Sequence, residues 1–139
     1  MIEPAEVRLT NDLAELPRLA RWVHEFCERH EVPRAVAFSF DLALEEAVCN
    51  LIAHAYDDAA RHEIGVRMSV ADGTVRAEVI DDGRPFDPRE AKLPAILARI
   101  EDRPIGGLGV FLIEQMMDDV QYGVVDGRNC LTLSKRLEV

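Results

Sequence analysis

Three polar side chains recur at a spacing of four residues: Glu46, Asn50 and His54. In an α-helix this spacing places a carboxylate, an amide and an imidazole on one face, where they can act on a common ligand. A solvated polar stripe on an amphipathic helix has the same pattern, and the spacing alone favours that interpretation. Neither HExxH nor paired His and Cys ligands occur, so the sequence does not indicate a zinc site.

A second polar cluster, Asp81-Asp82-Gly83, directly follows an alternating apolar segment that ends at Ile80. Aspartate and glycine are ordinary residues of a tight turn. A carboxylate at the end of a strand can also accept a hydrogen bond from the amino group of adenine. Gly83 has no side chain, so the backbone there can approach a flat base closely.

The third motif is a glycine run, Gly106-Gly107-Leu108-Gly109, which opens a predicted helix that ends near Met117. The first amide groups of a helix are unpaired within it, and the helix dipole makes this end positive. Such an end is suited to phosphates. The run lacks the Lys-Ser/Thr ending of a P-loop, and alone it is weak evidence because flexible glycine loops are common.

The elements that must position these motifs follow from the hydrophobic period. A weak alternation over residues 5–10 predicts an edge strand. A helix is predicted from a cap at Asn11 or Asp12 to about His30, and a second from about Ala37 to Asp58. The predicted apolar faces are Leu13, Leu16, Leu19 and Ala20, Val23 and Cys27 on the first helix, and Leu44, Val48, Leu51, Ile52 and Ala55 on the second.

Two hairpins are predicted where the period changes to two. They turn at Asp72-Gly73 and at Asp126-Gly127, and Asp-Gly is a strong two-residue turn signal. The order of elements is strand, two helices, hairpin, helix, hairpin. It predicts a single α+β domain over residues 1–139, a two-layer sandwich whose mixed, mostly antiparallel β-sheet carries the helices on one face.

Composition narrows the classes of function. The 139 residues are 48% hydrophobic and carry a net charge of −10, which is typical of a globular domain and disfavours binding to nucleic acid or anionic lipid. A phosphate ligand would need backbone amides and a metal ion rather than a basic patch. No apolar run is long enough to span a membrane, and the N-terminus does not resemble a secretory signal. Three cysteines without a CxxC pair indicate a reducing compartment, with the thiols as small core residues.

Together, in this order and at these spacings, the three motifs resemble those of the GHKL ATPases, the family of gyrase, Hsp90, histidine kinases and the MutL mismatch-repair proteins. Glu46 to Asn50 matches the N box, Asp81-x-Gly83 the first glycine box and Gly106-x-x-Gly109 the second. The resemblance is closest to the bacterial anti-sigma serine kinases of partner-switching systems, through EEAVCNLIAHAY, DDGRPFDP and RPIGGLGVFLIEQMMDDV. It covers essentially the whole chain and implies the Bergerat ATP-binding fold.

The resemblance implies roles for individual residues. Asn50 would ligate a Mg²⁺ ion that bridges the ATP phosphates, Glu46 would act as the general base, and Asp81 would hold the adenine. Residues 88–105 would form a lid over the phosphates. Further contacts with the nucleotide are implied for Gly83, Gly106, Gly107, Leu108, Gly109 and Asn129, whereas His54 is expected to be a core residue.

The function that the resemblance implies is that of a cytoplasmic, ATP-dependent anti-sigma protein. Such a protein sequesters a sigma factor, phosphorylates a serine on a STAS-type anti-anti-sigma protein, and is usually a homodimer. Arg18 and Arg21 are candidates for a dimer or partner face, although a solvated helix surface explains them equally well. The alternative is a nucleotide-gated binding module with little or no kinase activity. Neither function involves direct contact with nucleic acid or a membrane.

Overall fold

The fold is taken from a computed structural model, which describes residues 4–56, 60–84 and 113–137. Residues 113–116, which lie within the predicted third helix, are helical. The glycine run, the predicted lid and the side chain of His54 lie outside the described residues. In chain order the elements are β1 (Ala5–Thr10), a 3₁₀ turn (Leu13–Glu15), α1 (Leu16–Arg29), α2 (Arg34–His54), β2 (Glu63–Ala71), β3 (Thr74–Asp81), β4 (Asp119–Val125) and β5 (Arg128–Arg136).

The strands form one sheet with the order β1-β2-β3-β5-β4. Each pairing among these described strands is antiparallel. The two predicted hairpins are confirmed as β2–β3 and β4–β5, and β5 pairs with β3 so that the second hairpin extends the first. The predicted α+β architecture is therefore confirmed, and its sheet is antiparallel throughout the described part.

One face of the sheet carries the core. The register aligns Val7, Val66, Val79 and Leu131 in a row across four strands, and all four side chains are buried. Alternation sends the neighbouring side chains of each strand to the opposite face. The buried helix residues pack on the core face, which confirms that the helices lie on one side of the sheet: Leu19, Val23 and Phe26 of α1, and Val36, Phe40, Leu44 and Val48 of α2.

The two turns explain why the hairpins form where the sequence predicted them. Asp72 and Gly73 have φ values of 54° and 71°, and Asp126 and Gly127 have φ values of 52° and 76°. Two successive residues with positive φ are the signature of a type I′ turn, whose twist matches that of the flanking strands. Aspartate tolerates this left-handed conformation better than most residues, and glycine adopts it without strain.

The predicted start of the first helix needs a correction. Asp12 is a cap, since its Oδ1 accepts a hydrogen bond from the N–H of Ala14 at 2.9 Å, but it caps the 3₁₀ turn rather than α1. A 3₁₀ turn has three residues per turn instead of 3.6, so it rotates the preceding side chains away from the helix face. Leu13 is accordingly 45% exposed, and its predicted place on the apolar face is wrong.

The limits of α2 also differ from the prediction. Pro33 adopts an extended backbone with ψ of 143°, and the helix begins directly after it at Arg34 rather than at Ala37. A proline at the start of a helix costs nothing, because the first amide groups have no partner within the helix. The helix ends at His54, with Ala55 as its C-cap, and not at Asp58.

The three cysteines are free thiols. Cys27 and Cys49 are buried core residues, as predicted. Burial, and secondarily the charge of Asp41, raises the pKa of Cys27 to about 11. Cys130 is instead half-buried on the sheet face that lacks helices, beside Glu78, so the core prediction is wrong for this residue. In the described ranges, no helix combines the length and apolar character that crossing a membrane requires.

Candidate functional site

A cavity separates α2 from the sheet where β3, β5 and β4 lie side by side. Its volume is about 20 Å³ within the described part of the chain. Three of the predicted site residues line it: Asn50 from α2, Asp81 from the end of β3 and Asn129 from β5. Its walls are otherwise mostly apolar, as in most sites for small molecules. The remaining lining residues are Ala47, Leu51, Val79, Tyr122 and Leu131.

Asp81 is the most deeply buried acid of the site, with 3% of its surface exposed. Its Oδ2 accepts hydrogen bonds from the N–H of Gly83 at 2.8 Å and from Nδ2 of Asn129 at 3.3 Å. Burial raises the pKa of this carboxyl above its ordinary value, and the two hydrogen bonds oppose that rise. Within the described ranges no donor reaches Oδ1, so this oxygen is able to accept a hydrogen bond from the amino group of a ligand.

Asn129 lies directly opposite Asp81 in the register of β3 and β5. Its Nδ2 is 2.9 Å from the carbonyl oxygen of Gly83 and 3.4 Å from that of Arg84, and its Oδ1 accepts a hydrogen bond from the hydroxyl of Tyr122 at 2.8 Å. Both ends of the Asn129 amide thus form hydrogen bonds with groups of the protein itself. It supports Asp81 and the loop after β3, and Tyr122, which was not predicted, supports it in turn.

Gly83 is packed against the end of α2. A Cβ atom built on Gly83 would lie 2.7 Å from both the Cβ and the carbonyl oxygen of Ala55, and 2.9 Å from Oδ2 of Asp81. The next residue continues this contact, because the N–H of Arg84 donates to the carbonyl oxygen of Ala55 at 2.8 Å. Glycine is therefore required for the loop after β3 to seat on the helix that carries Asn50.

The variant Gly83→Ala is expected to lower the free energy of unfolding by about 1–3 kcal/mol, because the added methyl group meets backbone that cannot rotate away. Urea denaturation measures the change. Gly123→Ala is the matched control, since a Cβ atom at Gly123 meets nothing within 4 Å. Equal losses in the two variants would show that the seating of Gly83 on Ala55 does not matter for stability.

Asn50 places a buried side-chain amide in the wall of the cavity. It is only 3% exposed, and its Nδ2 has no hydrogen-bond partner in the described part of the chain. An unpaired buried donor costs about 1–3 kcal/mol, so a buried amide of this kind calls for a partner beyond the described residues. Its oxygen belongs to the hard ligands that Mg²⁺ prefers.

Glu46 precedes Asn50 by four residues on α2 and is half-buried. Burial first, and the charge of Glu45 second, raises the pKa of its carboxyl. A carboxylate with a raised pKa is a better proton acceptor than an ordinary one. The amide oxygen of Asn50, one turn further along α2, fits a magnesium ion, because Mg²⁺ is usually held by one or two protein oxygens while phosphates and water supply the rest.

A second concavity, of about 230 Å³, lies on the sheet face that lacks helices. It is lined mainly by outward-facing residues of β1 and β2 around Gly65, and these are largely charged. Arg8 lies 3.3 Å from a carboxylate oxygen of Glu6 and 3.7 Å from one of Glu63, so opposite charges within this concavity largely compensate one another. The smaller cavity under α2 combines apolar walls with uncompensated polar groups and is therefore the candidate site.

Comparison with known proteins agrees with this geometry. Residues 9–135 match the histidine kinase-like ATPase domain, and the chain belongs to that family. Among characterised relatives, the serine/threonine-protein kinase BtrW of Bordetella bronchiseptica is 26% identical over 113 residues, which cover 81% of this chain and 80% of BtrW. The serine-protein kinase RsbW of Oceanobacillus iheyensis is 32% identical over 109 residues, which cover 68% of each chain.

A solved structure supports the fold. The structure of the RsbU and RsbW domains of Rv1364c from Mycobacterium tuberculosis superposes with a TM-score of 0.70 at 20% identity. The match covers 97% of this chain and 32% of the other, so this chain spans about a third of that structure. At this level of identity the likeness shows that the two proteins share a fold. It does not show that they share a chemical activity.

Proposed function

We propose that this chain is an ATP-dependent anti-sigma regulatory protein. It binds Mg-ATP, sequesters a sigma factor, and phosphorylates a serine on a STAS-type anti-anti-sigma protein. The observation that carries the proposal is the placement of a buried carboxylate, Asp81, and a buried amide, Asn50, whose Nδ2 has no partner among the described residues, around one apolar cavity. The relatives named as serine-protein kinases, RsbW and BtrW, support the phosphotransfer step.

The adenine base is assigned to the apolar part of the cavity. Oδ1 of Asp81 accepts a hydrogen bond from the exocyclic amino group, while Oδ2 stays bonded to Gly83 and Asn129. Apolar side chains from α2 and the sheet, such as Leu51 and Leu131, enclose the faces of the base. Shape and one well-placed acceptor then recognise the base without a basic patch.

The phosphates are assigned to the end of the cavity at α2. When bound, Mg²⁺ would neutralise the phosphates and polarise the γ-phosphoryl group. Asn50 would hold the ion through its amide oxygen, and Glu46, one helical turn earlier, would accept the proton of the attacking serine hydroxyl. A chain with a net charge of −10 needs such a cation to bind a tetra-anion. The amide groups of Gly106, Gly107, Leu108 and Gly109 are proposed to bind the phosphates.

Asn50→Ala is expected to abolish the effect of Mg²⁺ on ATP affinity. In the wild type, Mg²⁺ should raise the affinity about tenfold or more, because Asn50 would hold the ion that neutralises the phosphates. Calorimetric titrations with ATP in Mg²⁺ and in EDTA measure this gain. Asn50→Asp keeps an oxygen ligand and should retain the gain. A full Mg²⁺ effect in Asn50→Ala would remove Asn50 from the metal site.

The first helix offers the candidate surface for partners or for a second copy of the chain. Nη1 of Arg18 already donates to the carbonyl oxygen of Arg8 at 3.0 Å and to Oε2 of Glu15 at 2.9 Å. Arg21 is exposed. Arg21 is therefore the better candidate of the two for a charged contact with another protein, since it has no such internal bonds in the described part of the chain.

A pull-down from host lysate tests the whole proposal. Immobilised protein is incubated in parallel with Mg-ATP and Mg-ADP, and the retained proteins are identified by mass together with any phosphoserine. We expect a sigma factor in the ATP arm, a STAS protein in the ADP arm, and phosphate on a serine of the STAS protein. Stable partners that never carry phosphate would instead support the binding module, and two empty arms would contradict the partner-switching role.

A further inference from the structure

The hydroxyl of Tyr122 is joined to Asp81 by a chain of hydrogen bonds that crosses three strands. The β4–β5 register places Tyr122 opposite Leu131, two residues from Asn129 and on the same face of the sheet. Its hydroxyl donates to Oδ1 of Asn129 at 2.8 Å, and Nδ2 of Asn129 reaches Oδ2 of Asp81 at 3.3 Å. Side chains at such diagonal positions regularly interact.

The neighbours of Asn129 fix which way its amide points. Three oxygen acceptors surround Nδ2: Oδ2 of Asp81 and the carbonyl oxygens of Gly83 and Arg84. A flipped amide would turn its own oxygen toward all three, where none can donate to it. With the amide in its observed orientation, Oδ1 faces the hydroxyl of Tyr122, which must donate.

We propose that Tyr122 is a positioning residue for nucleotide selectivity. Its hydroxyl anchors Oδ1 of Asn129 and so holds the amide in place against Oδ2 of Asp81, which leaves Oδ1 of Asp81 to face the ligand as an acceptor. This acceptor matches the 6-amino group of adenine and repels the 6-oxo group of hypoxanthine or guanine. The inference rests on the proposed function, because it assigns the base to this cavity.

Without the hydroxyl, the three acceptors around Nδ2 still set the orientation of the Asn129 amide, but Oδ1 loses its hydrogen bond and the side chain is held less firmly. The hydrogen bond from Nδ2 to Oδ2 of Asp81, already long at 3.3 Å, then weakens, and the carboxylate can rotate away from the position that presents its Oδ1 to the base. ATP would lose affinity more than ITP, which carries the 6-oxo group. The affinity ratio of ATP to ITP therefore reports on Tyr122 in a way that general loosening of the fold does not.

The experiment measures Mg-ATP and Mg-ITP binding by calorimetry for the wild type, Tyr122→Phe and Ser39→Ala. Tyr122→Phe is expected to lower the ATP-to-ITP ratio about three- to tenfold, the range for one neutral hydrogen bond. Ser39→Ala is the control, since it removes a part-buried hydroxyl that donates to the carbonyl oxygen of Ala35, far from Asn50 along α2. It should leave the ratio unchanged.

A double-mutant cycle tests whether Tyr122 acts through Asn129. In the Asn129→Ala background, Tyr122→Phe should have no further effect on the ratio. Thermal melting establishes that each variant is folded, and the comparison of Tyr122→Phe with Ser39→Ala decides the matter if Asn129→Ala is not. An unchanged ratio in Tyr122→Phe, or additive effects in the cycle, would overturn this inference alone. A wild type that binds ATP and ITP equally would also overturn it, whereas a wild type that binds neither would overturn the proposed function as well.

Discussion

Glu46→Gln is expected to slow phosphoryl transfer about 10²–10⁴-fold while leaving Mg-ATP affinity within about twofold. This is the range for the loss of a general base. The variant keeps the size of the side chain and removes only its ability to take a proton. Glu46 is half-buried, and its pKa is raised mainly by burial, which suits a proton acceptor better than a solvated carboxylate. Single-turnover transfer from labelled ATP to the STAS partner measures the rate.

Glu45 supplies the matched control for this prediction. It is the neighbouring acid on α2 and it is exposed, so Glu45→Gln makes the same change of charge on another side of the helix. Its rate should stay within about threefold of the wild type, the residual effect being the loss of its charge near Glu46. Wild-type turnover in Glu46→Gln would exclude Glu46 from proton transfer, and equal losses in the two variants would point to charge rather than position.

Asp81→Ala is expected to weaken ATP binding tenfold or more. A hydrogen bond to a buried charged group contributes about 1.5–3 kcal/mol, which corresponds to about 10–150-fold in affinity. The variant also leaves Gly83 and Asn129 without their common acceptor, so a lower melting temperature should accompany the loss. Asp81→Asn keeps the shape of the side chain and separates the two effects. Calorimetry below the melting temperature of each variant measures the affinity.

Asp82→Ala is the control for charge at the same turn. The carboxylate of Asp82 is 57% exposed and lies 3.3 Å from Nδ1 of His62 rather than in the cavity. ATP affinity should therefore stay within about threefold of the wild type, because screened charges contribute little. If Asp81→Ala and Asp82→Ala behave alike, the adenine does not bind at Asp81.

Local chemistry made much of the fold predictable. The Asp-Gly pairs fixed the turns, and the register of each hairpin follows from its turn because the side-chain period in a strand is two. The contact between Tyr122 and Asn129 was predictable in the same way, since the turn at Asp126-Gly127 places the two residues on one face of the sheet at diagonal positions. The sequence therefore contained the information for this contact. It did not show that Asn129 also contacts Asp81, which is what connects Tyr122 to the site.

That partner, Asp81, comes from a pairing that no local pattern predicts. β3 and β5 are distant in sequence, and their register places Asp81 opposite Asn129. Alternation within each strand is satisfied by several strand orders, so only tertiary packing selects this one. Leu13 illustrates a different limit, because the choice between a 3₁₀ turn and an α-helical turn depends on small differences in free energy that residue spacing does not resolve.

Calorimetric titration of the wild-type chain with ATP tests whether Asn50 and Asp81 together form a Mg-ATP site. One titration is run with Mg²⁺ and one with EDTA, and GTP and ADP serve as comparison ligands. We predict one ATP site per chain, tighter binding with Mg²⁺ than without it, and a clear preference for ATP over GTP. The absence of ATP binding, or binding that depends on neither Mg²⁺ nor the base, would exclude a Mg-ATP site at these two residues.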